Sequence, residues 1–325
     1  MSPLTFSEDK QTLLYCDRTY EGEIVIPYGV KTIATDAFCG CRELTKVELP
    51  GSLTEIGDFA FCTCEKLTSI EIPNSVKLIG EYAFSRCCNL TTIEIPGSVT
   101  DIGGKCFYDC TRLSTVEIFA NLTEINDFTF YLCTSLRSIF LPGSVTRIGK
   151  GAFNSCPSLN RIDIPSSVTL IDELAFEDCI GLTTLQISCK MIEIGTMAFK
   201  KCHGLQKVEI ISHETVVGEW AFSYCEQLST VKIMGWQTEV LDGGFIECPT
   251  LKSIEIHSDA VAIGDFAFKD CNNLTTVEVI CNTTKIGSEA FCRCIALTKV
   301  DIPASLKDIA GDTFSGCTAL KDLHP

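Results

Sequence analysis

The chain has 325 residues, with 26 Lys and Arg against 42 Asp and Glu, for a net charge of −16. Phosphate binding needs a basic face, so this balance argues against nucleic acid and fits a basic protein partner or plain solubility. No apolar run approaches the length of a membrane span.

Residues 1–21 open Met-Ser-Pro-Leu-Thr-Phe-Ser-Glu-Asp-Lys, without the apolar stretch of a signal peptide. Thr12-Leu13-Leu14-Tyr15-Cys16 reads as a strand after a polar turn. This segment is expected to cap the open end of the repeats that begin at Gly22, with Leu4, Phe6, Leu13 and Tyr15 covering apolar surface.

Residues 22–320 are one 23-residue unit written thirteen times with no insertion. A fixed period of this length marks a solenoid, in which each coil buries its apolar face against its neighbours. In the third coil, residues 68–90, the unit reads TSIEIPNSVKLIGEYAFSRCCNL. Positions 3 and 5 (Ile70, Ile72) are apolar between polar residues, which is strand alternation. Position 6 is Pro in seven coils, from Pro27 to Pro303, and can end that strand. A second short extended piece carries apolar residues at positions 9 and 12 (Val76, Ile79). Position 13 is Gly in eight coils, so a left-handed corner is expected there. Positions 14–19 (Glu81 to Arg86) look like one or two helical turns, with an always small residue at position 16.

Three columns never change. Position 17 is Phe from Phe38 to Phe314, position 20 is Cys from Cys41 to Cys317, and position 23 is Leu from Leu44 to Leu320. The Cys column reads as core, because a free cysteine behaves as a small hydrophobe. Off-column pairs such as Cys39 and Cys62 on adjacent coils leave a thiolate metal site, an inter-coil disulfide and free thiols all open. The last unit ends at Leu320, and residues 321–325 begin a further coil.

The columns Leu-x-x-Ile-x-Ile-Pro-x-x-Val-x-x-Ile-Gly-x-x-Ala-Phe-x-x-Cys resemble the BspA-like, Treponema pallidum-type leucine-rich repeat. Leu67-Thr68-Ser69-Ile70-Glu71-Ile72 fills the Leu-x-x-Leu-x-Leu segment of such repeats. The resemblance implies an α/β leucine-rich-repeat solenoid of thirteen coils. Its parallel β-sheet would line the concave face, with short strands and helical turns elsewhere. It also implies a cell-surface or secreted adhesin that binds host matrix or cell-surface proteins. The alternative is a cytoplasmic scaffold or signalling adaptor, which the reduced-looking cysteine column and the absence of a signal peptide favour.

Catalysis has no residues to nominate, since His203, His213, His257 and His324 occupy different columns with no nucleophile–base spacing. No cofactor is expected, and the oligomeric state is open. Two features stand out for binding. Position 4 is acidic in nine coils: Glu48, Glu71, Glu94, Glu117, Asp163, Glu209, Glu255, Glu278 and Asp301. Like charges on neighbouring strands repel, and Lys46, Arg161, Lys207 and Lys299 each stand two residues before one of them. The stripe is either a solvated face or a surface that steers basic protein segments or weakly holds divalent cations. In coils eight to twelve, Pro at position 6 gives way to Ser188, Ile211, Met234, His257 and Ile280. With His213 and Trp236 at position 8 and Lys232 interrupting the acidic column, this region reads as a protein-binding hot spot.

Overall fold

The computed structural model describes residues 3–303 and 309–321. The end of the unfinished coil, residues 322–325 with His324, lies outside the described residues, as do Met1, Ser2 and residues 304–308. The chain divides into two compact units, Met1–Leu159 and Asn160–Pro325, and that division falls between the sixth and seventh repeats. Each unit is a β-solenoid of the leucine-rich-repeat type, with one coil per repeat.

In the first unit, Leu4–Phe6 pairs antiparallel with Thr12–Cys16, which then runs parallel to Thr32–Ile33. Leu13 and Cys16 are buried, whereas Tyr15, expected among the covering residues, is 43% exposed. The face strands include Leu44–Glu48, Thr92–Ile95 and Thr115–Ile118. Their alternation turns the branched residues inward, so Ile93 and Ile95 are buried while Thr92 and Glu94 are exposed. The second strands, such as Leu78–Ile79 and Asp101–Ile102, form a separate parallel ladder.

In the second unit the face strands are longer. Thr184–Ser188, Lys207–Ile211, Thr230–Met234, Ser253–His257 and Thr276–Ile280 each run five residues. These are the coils of the second unit that lack Pro at position 6. A free N–H there lets the ladder continue, and Ser212 N then donates to Met234 O at 3.0 Å and Gly235 N to His257 O at 3.0 Å. The following strands lengthen too, as in Glu214–Val217 and Gln237–Val240. Position 10 now points inward, and Ser212–Thr215 and Thr238–Ser258 bury their hydroxyls in pairs at 2.6 Å.

The expected helical turn is not there, and with it goes the expected α/β class: the described residues contain no helix. Positions 14–19 are instead a run of tight turns whose N–H groups alternate between two destinations. In the third coil, Ala83, Ser85 and Cys87 donate to carbonyls three residues earlier, Gly80, Tyr82 and Phe84. Tyr82, Phe84 and Arg86 donate to the next coil, at Gly104, Cys106 and Tyr108. A helix would spend every N–H within its own coil, whereas this arrangement spends alternate ones on stacking. Aiming them outward takes left-handed residues at positions 15 and 19, where φ is 55° at Tyr82 and 58° at Arg86. The same two positions have positive φ in coil after coil, from Asp36 to Glu289 and from Gly40 to Gly316.

The glycines at position 13 also serve differently from expectation, since none of them has a positive φ. A Cβ on Gly57 would lie 2.8 Å from the Ile33 carbonyl oxygen, and one on Gly195 would lie 2.7 Å from the Glu173 nitrogen. Glycine is there because successive backbones touch.

Inside each unit the Phe rings stack. Centroids are 4.9 Å apart between Phe38 and Phe61 and 5.0 Å between Phe199 and Phe222, with planes within 7° and 3°. The Cys column has a role beyond filling space. Along the column, thiols donate to the carbonyl of the Phe one coil back: Cys87 to Phe61 at 3.2 Å, Cys133 to Phe107 at 3.2 Å, Cys225 to Phe199 at 3.4 Å. Burial pushes the thiols of Cys87, Cys133 and Cys202 well up, so each keeps the hydrogen it donates. Cys225→Ala is expected to cost about 1.5 kcal/mol, from the lost bond and the void together. Chemical denaturation checks this, and an unchanged midpoint would reduce the column to packing alone.

Candidate functional site

The substituted column of the second unit forms one contiguous row. Strand register sets Ile211 beside Met234, Met234 beside His257 and His257 beside Ile280. Position 6 follows the buried Ile210, Ile233, Ile256 and Val279, so alternation turns the row outward. Ile211 is 46% and Ile280 56% exposed, with Met234 and His257 half-buried between them.

Two residues later the chain leaves the strand, and Trp236 lies flat against His213, ring centroids 4.1 Å apart and planes 11° from parallel. Trp236 is 62% exposed, yet its backbone is held on both sides. Its N–H donates to His213 O at 2.9 Å, and its own carbonyl accepts from Ala260 N at 3.0 Å. A large indole is thus presented to solvent on a fixed backbone, which lowers the ordering cost of any contact it makes. Gly235, just before it, approaches the Ser212 carbonyl so closely that a Cβ would collide. The chain's other Trp residue, Trp220, lies apart from this patch. It occupies a left-handed turn position with φ 58° and packs where a Cβ on Gly243 would stand 3.4 Å from its ring.

Lys232 sits in register between Glu209 and Glu255, with its Nζ 3.3 Å from Glu255 Oε2. His257 Nε2 lies 3.3 Å from Glu278 Oε1. Lys207 Nζ is 2.7 Å from Glu209, and this bond holds the Glu209 carboxyl below its usual range. Arg161 pairs with Asp163 at 3.0 Å and Lys299 with Asp301 at 3.8 Å. The acidic column of the second unit is therefore threaded with cations. All these pairs are exposed enough that each contributes little to stability.

In the first unit the same column holds Glu48, Glu71, Glu94 and Glu117, all exposed. Lys46 Nζ lies 2.7 Å from Glu48. Two exposed aromatics that the column reading passed over, Phe119 at 59% and Phe140 at 71%, stand on the same face. A signal was available, because Phe140 breaks the acidic column and Phe119 replaces Pro at position 6.

Cys39, on the turn side, is half-buried, and desolvation pushes its thiol up to about 11, with Cys62 of the next coil adding to the rise. Among the described residues, no group of three or more His, Cys, Asp or Glu side chains is placed to hold a metal ion. Among the same residues, no helix is long and apolar enough to cross a membrane.

Comparison with curated protein sequences returns no match. Among solved structures, the chain is similar to a leucine-rich repeat protein of Bacteroides ovatus at 27% identity. That match covers 99% of this chain and 92% of the other, with a TM-score of 0.76. A leucine-rich cell surface protein of Faecalibacterium prausnitzii is also 27% identical, over 98% and 91% of the two chains, with a TM-score of 0.49. A leucine-rich repeat protein of Eubacterium ventriosum shares 21% identity and the fold, with coverage of 93% and 94% and a TM-score of 0.54. The family model for the BspA type leucine rich repeat region (6 copies) matches residues 15–137, 123–240 and 238–324. Matched along nearly its whole length, the chain belongs to the BspA-type leucine-rich repeat family.

Proposed function

We propose that the chain recognises a protein ligand, acting as a cell-surface, adhesin-like leucine-rich-repeat protein. The leucine-rich-repeat fold is a protein-interaction scaffold, and the family resemblance supports the surface setting. The observation that carries the reading is the His213–Trp236 stack beside the exposed row Ile211, Met234, His257 and Ile280. Aromatic anchors held rigidly beside apolar neighbours are where binding energy concentrates.

The test is surface plasmon resonance against a panel of matrix proteins, comparing the wild type with Trp236→Ala. The indole's loss is expected to weaken the best ligand by about 2 kcal/mol, roughly thirtyfold. A Trp236→Ala protein that keeps both fold and affinity would remove the patch from the account.

A second reading, an intracellular scaffold, is favoured by the column of free buried thiols such as Cys64, Cys87 and Cys225, since reducing compartments keep thiols unpaired. Labelling intact source cells with a membrane-impermeant reagent separates the two. Labelled protein supports the surface reading, and label appearing only after lysis supports the scaffold.

A further inference from the structure

The two units treat the acidic column differently. In the second, Asp163, Glu209, Glu255, Glu278 and Asp301 each have a basic or histidine side chain within 4 Å. In the first, Glu48 has Lys46. Glu71, Glu94 and Glu117 make no ion pair or side-chain hydrogen bond among the described residues. Glu94 and Glu117 are direct register partners on neighbouring strands, the arrangement in which like charges destabilise a sheet most.

The ladder does not stop at solvent. Thr115 pairs with Ser138 and Val116 with Ile139, so the next side chain beside Glu117 is Phe140, 71% exposed. Phe119, 59% exposed, stands at the following outward position of the Glu117 strand. A depression of about 480 Å³ runs along this face, between Ser69, Glu71, Thr92, Glu94, Thr115 and Glu117. Hydroxyls flank the acids on one side, and beyond Glu117 the face continues to the exposed rings of Phe140 and Phe119. The sheet face is unpartnered, and its charge selects what can cover it.

We propose that this face docks an extended segment of a partner protein with the pattern basic–x–basic–x–apolar. The proposal rests on the protein-recognition reading above and names a second surface with its own ligand chemistry. The spacing fits. Neighbouring strands are ~4.8 Å apart, so Glu71 to Phe140 spans three intervals, about 14 Å, and four residues of extended chain also cover about 14 Å. Laid across the strands, residue i meets Glu71 and residue i+2 meets Glu94 and Glu117. Residue i+4 reaches Phe140 and Phe119. The occupant's alternate side chains point away, and its backbone meets the Ser and Thr hydroxyls. Cations on the segment remove the repulsion that the free ladder carries.

The experiment titrates the full chain into fluorescent peptides and reads anisotropy, at low salt and at about 0.15 M. The probes are a Gly/Ser-flanked Lys-Ser-Lys-Ser-Phe peptide, the same peptide with Glu for both Lys, and the same with Ser for Phe. The lysine peptide is expected to bind, and to weaken about tenfold or more at the higher salt and in the Glu94→Gln/Glu117→Gln double variant. Phe140→Ser should weaken it too, while the control peptides bind no better than background. Thermal unfolding of the free double variant should shift upward, because the repulsion is gone, which separates loss of docking from loss of fold.

Equal binding of all three peptides, binding indifferent to the Gln substitutions, or no binding would each overturn the proposal. So would self-association abolished by Phe140→Ser, which would make the occupant a second copy of the chain. Trp236→Ala is expected to leave peptide binding unchanged. Failure of the peptide therefore leaves the second-unit patch standing, and failure of the patch leaves this face standing.

Discussion

Phe199→Ala is expected to lower the free energy of unfolding by about 4 kcal/mol, within the range for emptying a buried aromatic site. The ring is fully buried, stacked 4.9 Å from Phe176 on one side and 5.0 Å from Phe222 on the other. Removing it therefore strips a partner from two interfaces at once. In a solenoid, stability is approximately a sum of coil terms and neighbour terms, so both losses count. The backbone cannot close over the void. Phe199 N donates to Ala221 O at 2.7 Å, and Phe199 O accepts the Cys225 thiol at 3.4 Å. Those bonds fix the spacing of the coil to its neighbour, which puts the cost in the upper part of the range. Denaturant unfolding measures it. A loss under about 1 kcal/mol would mean that the ring column relaxes, and that stacking is a consequence of coil spacing rather than one of its causes.

The period, the strand alternation and the inward Phe, Cys and Leu columns were all legible in the sequence, because each is a fixed position repeated thirteen times. The turn segment was not. Its apolar residues at positions 16, 17, 20 and 23 recur at intervals a helix would also produce. What excludes the helix is the bonding of Tyr82, Phe84 and Arg86 to the next coil, and no local pattern records a bond to a residue some twenty positions on. The left-handed residues carried little signal, since Gly stands at only two coils of each position, Gly151 and Gly243 at one and Gly40 and Gly316 at the other. Phe59, Tyr82, Lys105, Leu174, Met197 and Trp220 adopt positive φ under tertiary constraint, whereas the Gly column that suggested it marks close backbone contact. The row Ile211, Met234, His257 and Ile280 was legible because a shared repeat position becomes a shared strand register. The His213–Trp236 stack follows from the same rule. The two Trp residues occupy neighbouring coils, yet Trp220 belongs to the turn segment. Exposed Phe119 and Phe140 were missed because Phe is usually core, and only their column showed them to face outward.

Ala198→Leu is expected to cost about 3 kcal/mol, the upper end for overpacking a filled core. Position 16 is small in every coil, and the structure shows what limits it. Ala198 is fully buried, its N–H bonds Gly195 O at 3.2 Å within the turn, and the neighbouring Ala221 carbonyl receives Phe199 N at 2.7 Å. Extra carbons there must push against the adjoining turn or against the Phe column. Thr is the largest residue found at the position, and it fits by bonding backbone: Thr129 Oγ1 donates to Asn126 O at 2.7 Å and Thr313 Oγ1 to Gly287 O at 3.0 Å. The internal control is Ala198→Thr, expected to lose about 1 kcal/mol or less because its hydroxyl has a carbonyl within reach. Leu has no such outlet, and the coil before it cannot retreat, since Gly195 already lies against the Glu173 backbone. Urea midpoints of the two variants decide the matter. Equal midpoints would mean the turn segment has room for a branched side chain, and that close coil contact is not what keeps position 16 small.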